Sequence, residues 1–200
     1  MTLLASNVLV ARSVRHHLSE IGFQAVSGYS LGAPVAIRAA TRHPERVSAL
    51  VLTAAFPHRD NRLALASSVW SKIAASGDRE LLAEYQLLMA LGTQALESMP
   101  AEQLQQTLGY VAASAADGSS EQTDLVGQVD VRDDLAGITV PTLVVSTTDD
   151  RLVSSDLHRR LAENIPGAQL AEIATGHLPM LERTDQWLQL ITDFLDKHHA

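Results

Sequence analysis

With 200 residues, 46% of them apolar and 19% charged, the chain has the make-up of a soluble globular protein with room for one real core. A net charge of -8 argues against nucleic acid as a partner, because phosphate contacts need a basic surface, and no apolar run approaches the roughly 20 residues of a membrane span. The lack of cysteine excludes disulfides and thiolate metal sites, and Met1–Asn7 lacks the basic start of a signal peptide, so the cytoplasm is the expected location.

In chain order, Leu4, Val8, Ala11, Val14, Leu18 and Ile21 fall on one stripe of a helix that Gly22 ends. Phe23–Ser27 reads as a strand entering a turn at Gly28. Leu31–His43 is a helix whose inward side chains are small (Ala33, Ala36, Ala39, Ala40), and Pro44 stops it. Val47–Leu52 is a second buried strand, so the first third predicts a parallel α/β unit. From Asn61 to about Ala116 the pattern is helical only, over Leu63–Ala74, Arg79–Leu91 and Ala101–Ala115. Asp117–Gln122 is polar and reads as a loop or hinge. The strand rhythm resumes at Thr142–Ser146, then a helix over Asp156–Asn164, a strand at Gln169–Ile173 and a closing amphipathic helix over Thr184–His198. The expected organisation is an α/β core over 1–56 and 125–200, with 57–124 inserted as a helical cap.

A serine hydroxyl attacks well only when a base removes its proton, and it must sit beside backbone N–H groups that can hold an oxyanion. A sharp strand-to-helix turn flanked by glycines provides that setting, and Gly28-Tyr29-Ser30-Leu31-Gly32 lies between a strand and a small-residue helix. An acid and then a histidine are expected later in the chain, at the carboxyl ends of parallel strands. Asp149-Asp150 follows the strand ending at Ser146, and Gly176-His177 follows the strand ending at Ile173. In this reading Ser30 is the nucleophile, His177 the base, and a carboxylate fixes the tautomer of His177.

The sequence resembles the lid-bearing α/β-hydrolase superfamily, loosely its 3-oxoadipate enol-lactonases, in several separate places. These are Gly28–Gly32 with Val35-Ala36, His43–Val47 leading into Leu50–Leu52, Ile138–Val145 with the tail after Asp150, Ile165–Ala168, and Gly176–Glu182. The resemblance implies Asp150 rather than Asp149 as the acid, the N–H of Leu31 as an oxyanion donor, no cofactor or metal, and a small ester or lactone as substrate. Perhydrolysis uses the same triad. Tyr29 beside the nucleophile, with Trp70, Tyr85 and Met89 of the insertion, are candidate substrate contacts, although residues such as Trp70, Tyr85, Met89 and Tyr110 also serve as helix packing.

The histidines His16, His17, His43, His58, His198 and His199 read as surface, tail or structural residues, and Arg132–Asp134 as solvated charge. Ahead of Gly28, roughly 70 to 80 residues of the family pattern are not found, including the loop that gives a second oxyanion donor. The expectation is therefore a partial α/β-hydrolase fold, with the Phe23–Ser27 strand as an exposed edge open to self-association. The rival expectation is a degenerate hydrolase fold serving as a non-catalytic small-molecule or partner-binding module.

Overall fold

A computed structural model of the chain describes residues 24–114 and 119–198, the side chains of residues 119–123 excepted. The helix expected over Leu4–Ile21, together with Phe23 and His199, lies outside the described residues.

Four strands form one parallel sheet in the sequential order β1 (Gln24–Tyr29), β2 (Val47–Thr53), β3 (Thr142–Thr147) and β4 (Gln169–Ile173). The two central strands are almost wholly buried, as the continuous apolar runs Ala49–Leu52 and Leu143–Val145 require of strands covered on both faces. Their side chains alternate. Leu50, Leu52 and Val144 meet Ala33, Ala36, Ile37 and Ala40 of α1 (Gly32–Arg42) and Leu161 of α7 (Ser155–Asn164). Ala49, Val51, Leu143 and Val145 point to the other face, against Phe194 of α9 (Thr184–His198), with Trp187, Leu190 and Ile191 packed around it. The alanine stripe of α1 is what lets that helix lie close to β1, and each large aliphatic side chain so buried contributes about 1.5–3 kcal/mol.

Between β2 and β3 the described chain is helical: α2 (Asn61–Ser76), α3 (Arg79–Ala90), α4 (Thr93–Glu97), α5 (Ala101–Ala113) and α6 (Ser119–Gln128), followed by a 3-10 turn at Arg132–Gly137. Aspartates start two of these helices. Asp60 accepts the N–H of Leu63 at 2.7 Å, and Asp78 accepts that of Leu81 at 3.0 Å. Gly77, at φ 77°, ends α2 in the left-handed conformation a side chain would resist. The loop expected over Asp117–Gln122 is corrected in part, because Ser119–Gln128 is helical. The polar stretch supplies only the start of that helix, while Val126 on its later turns packs with Val129 against Phe56 and Leu63. His198, expected in a frayed tail, is instead the last residue of α9, its ring 4.8 Å from that of Phe194. No helix among the described residues is long and apolar enough to cross a membrane.

The register places the chemistry. Tyr29 pairs with Thr53, Thr53 with Val145, and Thr147 with Ile173, so the segments beginning at Ser30, Thr148 and Ala174 all leave the sheet at its carboxyl edge. A short helix α8 (Pro179–Glu182) follows the last of these exits.

Candidate active site

Ser30 occupies the turn between β1 and α1 at φ 49°, a left-handed conformation that costs a residue with a Cβ about 1–2 kcal/mol. The turn is held on both sides: the N–H of Ser30 donates to the Thr53 carbonyl at 3.0 Å, and its own carbonyl accepts the N–H of Ala33 at 2.9 Å. Gly28 makes this geometry possible, since a Cβ there would stand 2.7 Å from the Ala33 Cα and 2.8 Å from the Ala36 Cβ. Leu31 follows as the N-cap of α1, where the first backbone N–H groups have no partner within the helix.

Across the carboxyl edge, His177 Nε2 lies 2.8 Å from Ser30 Oγ, and His177 Nδ1 lies 2.7 Å from Asp150 Oδ2. Asp150 is saturated. Its Oδ1 accepts the N–H groups of Leu152 at 2.8 Å and Val153 at 2.9 Å, and its Oδ2 also accepts the Thr147 hydroxyl at 2.9 Å. Burial would raise the Asp150 carboxyl, but the neighbouring His177 charge and hydrogen bond, the Val153 N–H and His158 outweigh it, so its pKa lies below the ordinary value. With Asp150 an acceptor, the neutral form of His177 carries its proton on Nδ1 and leaves Nε2 as the acceptor facing the serine hydroxyl. Such an arrangement can draw a proton from Ser30 and stabilise the imidazolium that forms.

The backbone around His177 is fixed as firmly as its ring. Its N–H donates to the Ala90 carbonyl at 2.8 Å, and its carbonyl accepts the Tyr29 hydroxyl at 3.0 Å. Burial, then the negative charges of Asp150 and Glu182, push the Tyr29 phenol well above its ordinary pKa and keep it a donor. The neighbouring Asp149 does other work: its carboxylate accepts the N–H and the hydroxyl of Thr93, at the start of α4. Arg151 donates to the Leu88 carbonyl at 2.9 Å and to Thr93 Oγ1 at 3.1 Å. The acid and histidine loops are therefore stitched to the α3–α4 junction.

The residues expected to form the site fall into two groups. Ser30, Leu31, Tyr29, Asp150 and His177 come together. Trp70 and Tyr85 meet each other edge to face at 6.3 Å, and the Tyr85 hydroxyl donates to the Ala66 carbonyl at 2.9 Å, tying α3 to α2. Met89 is half-buried, one residue before Ala90. A cleft of about 250 Å³ opens nearby among Gly92, Gln94, Asp149, Glu182 and Arg183, and its lining does not include Ser30, Leu31 or His177.

Two residues were missed by sequence reasoning. His158 is fully buried on α7, its Nδ1 3.2 Å from Ser146 Oγ and its Nε2 without a partner among the described residues. Burial pushes its pKa down to about 4, against the pull of Asp150. Its signal was faint: a single histidine on the helix face that Leu157 and Leu161 bury. Glu182 stood in the quoted Gly176–Glu182 motif without a role, and it accepts the N–H groups of both Gly92 and Gly176.

Comparison with known proteins adds the following. A family model described as "Alpha/beta hydrolase family" matches residues 5–190. A pyrrolizixenacetamide deacetylase of Xenorhabdus hominickii is 29% identical over 170 residues, covering 84% of this chain and 64% of the relative. The chain thus spans just under two thirds of that relative's length. Among solved structures, MGS-M2, an alpha/beta hydrolase enzyme from a Medee basin deep-sea metagenome library, superposes with a TM-score of 0.84 at 20% identity, covering 93% of this chain and 70% of that one. The enol-lactonase of Burkholderia xenovorans LB400 does so with a TM-score of 0.81 at 23% identity, covering 94% and 72%. Both superpositions concern the fold, and both agree with a chain that carries part of it.

Proposed function

This chain belongs to the alpha/beta hydrolase family, and from that premise we propose that it is a serine hydrolase that cleaves a small ester or lactone through Ser30, His177 and Asp150. The observation that carries the reading is the unbroken hydrogen-bonded series Ser30 Oγ, His177 and Asp150, at 2.8 and 2.7 Å, built on a serine held in a left-handed turn. Ser30 Oγ attacks the substrate carbonyl as His177 Nε2 takes its proton, and the carbonyl oxygen becomes an oxyanion that accepts the Leu31 N–H. His177 then gives its proton to the leaving alkoxide, and an acyl group remains on Ser30. Water, deprotonated by the same Nε2, attacks the acyl carbonyl, and the proton returns to Ser30 as the acid departs. Asp150 holds His177 in the tautomer both halves need. Met89 and Tyr29 are proposed to border the substrate, Met89 through its place beside Ala90 and Tyr29 through its ring, 5.2 Å from that of His177.

The test is covalent labelling with a fluorophosphonate, with Ser30→Ala as control. Labelling of the wild-type chain at Ser30 and none of the variant is the expected result. A folded chain that does not label at Ser30 would overturn the hydrolase reading and leave a binding module in its place.

A further inference from the structure

Where the α3–α4 junction meets the histidine loop, two backbones cross almost in contact. A Cβ on Gly176 would stand 2.3 Å from the Gly92 nitrogen and 2.6 Å from the Ala90 carbonyl oxygen. A Cβ on Gly92 would stand 2.7 Å from the Gly176 nitrogen and 2.8 Å from Glu182 Oε2. Nothing larger than glycine fits at either position, so no side chain from the crossing itself can bind the segments together. Glu182 does so from α8. Its Oε1 accepts the N–H of Gly92 and that of Gly176, each at 3.1 Å, and its Oε2 shares the Gly176 N–H, also at 3.1 Å. Gly92 and Gly176 are buried, so without this acceptor both N–H groups lose their partner.

Resting on the hydrolase reading above, we infer that Glu182 is a positioning residue for His177. The residue it anchors, Gly176, immediately precedes His177, whose N–H reaches back across the same crossing to the Ala90 carbonyl at 2.8 Å. Beside the ties that Asp149 and Arg151 make to the same junction, this carboxylate is the one that joins Gly176 to it, and so helps hold the 2.8 Å from Nε2 to Ser30 Oγ. Its hydrogen bonds go to the backbone N–H groups of Gly92 and Gly176 rather than to Ser30, Asp150 or the His177 ring, so it acts through His177. Removing it lets the loop drift, and a misplacement of about 1 Å is worth about a hundredfold in rate.

The experiment compares wild type, E182A and E182Q by three readouts: the rate of fluorophosphonate labelling at Ser30, kcat and KM for p-nitrophenyl acetate, and the low-field proton resonance of the His177–Asp150 hydrogen bond. For E182A the expected result is labelling and kcat about 10- to 100-fold lower, KM within about threefold, and the resonance broadened or displaced. E182Q keeps the oxygen that joins Gly92 to Gly176 and is expected to recover most of the rate. Should E182A fail to fold, E182D, one methylene short of the crossing, carries the same comparison. Wild-type labelling rate and an unmoved resonance in the folded variant overturn the inference alone. A wild-type chain that never labels overturns the hydrolase reading and this inference with it.

Discussion

Replacing Asp150 with asparagine tests the site with almost no change in shape. The Asp150 Oδ1 accepts two backbone N–H groups, from Leu152 and Val153, while Oδ2 faces His177 Nδ1 and the Thr147 hydroxyl. An asparagine must turn its carbonyl oxygen to the two N–H groups, because the opposite flip would aim an amide NH2 at two donors inside a buried pocket, at about 1–3 kcal/mol for each group left unpaired. Its NH2 then faces His177 Nδ1, which must become an acceptor. The imidazole proton moves to Nε2, and the nitrogen that should take the Ser30 proton is blocked. The loss expected from a wrong tautomer is about four orders of magnitude in kcat, or about 5.5 kcal/mol of transition-state stabilisation. Because the two N–H contacts and the volume survive, Tm should move by only a few degrees. The assay is the rate of fluorophosphonate labelling at Ser30, followed over days for the variant, beside Asp149→Asn as the neighbouring control. Asp149→Asn keeps an oxygen for Thr93 and should label within about tenfold of wild type. If Asp150→Asn labels within tenfold of wild type, or if Asp149→Asn is the more damaged of the two, the assignment of the acid and the tautomer argument both fail.

Other perturbations read separate parts of the structure. Gly28→Ala puts a Cβ 2.7 Å from the Ala33 backbone and should cost about 1–3 kcal/mol, measured as a lower urea midpoint at unchanged slope. Leu52→Ala empties a fully buried site in the middle of the sheet and should cost about 2–5 kcal/mol in the same titration. His158 has a folded pKa of about 4 against 6.5 when unfolded, so the unfolded chain binds the extra proton between those values. Its contribution is therefore complete above pH 6.5 and is lost as pH falls toward 4, by up to about 3 kcal/mol. Stability measured across that range should fall less steeply in His158→Gln, and an equal slope would refute the buried neutral histidine.

Much of the sheet was legible because parallel strands covered on both faces must be apolar throughout. Val47–Thr53 and Thr142–Thr147 carry that pattern, and Gln169–Ile173 matches its expected limits at both ends. The segments read poorly were those whose hydrogen bonds come from far along the chain. The four-residue helix Pro179–Glu182 and the five-residue Thr93–Glu97 are too short to show a hydrophobic period, and the second is set by Asp149, a residue more than fifty positions away. Ser119–Gln128 was hidden because its start is polar in sequence, although Val126 packs against Phe56 and Leu63.

The site divides along the same physical line. That Ser30, the Asp149-Asp150 pair and His177 would lie at one edge could be read in advance because each follows a strand whose end the apolar pattern marks, and a parallel sheet brings such ends together. What holds them could not. Strand ends alone left Asp149 and Asp150 open and the family resemblance pointed to Asp150, but the turn at Leu152 and Val153 whose N–H groups capture that carboxylate was not legible. Glu182 has a purpose only where Gly92 crosses Gly176, a contact between segments more than eighty residues apart. The helical segment between β2 and β3, whose Ala90 carbonyl accepts the His177 N–H and whose Gly92 N–H donates to Glu182, holds the histidine loop directly. It supplies part of the frame on which the histidine stands, so on the proposed hydrolase reading changes in that segment should alter the rate of attack by Ser30.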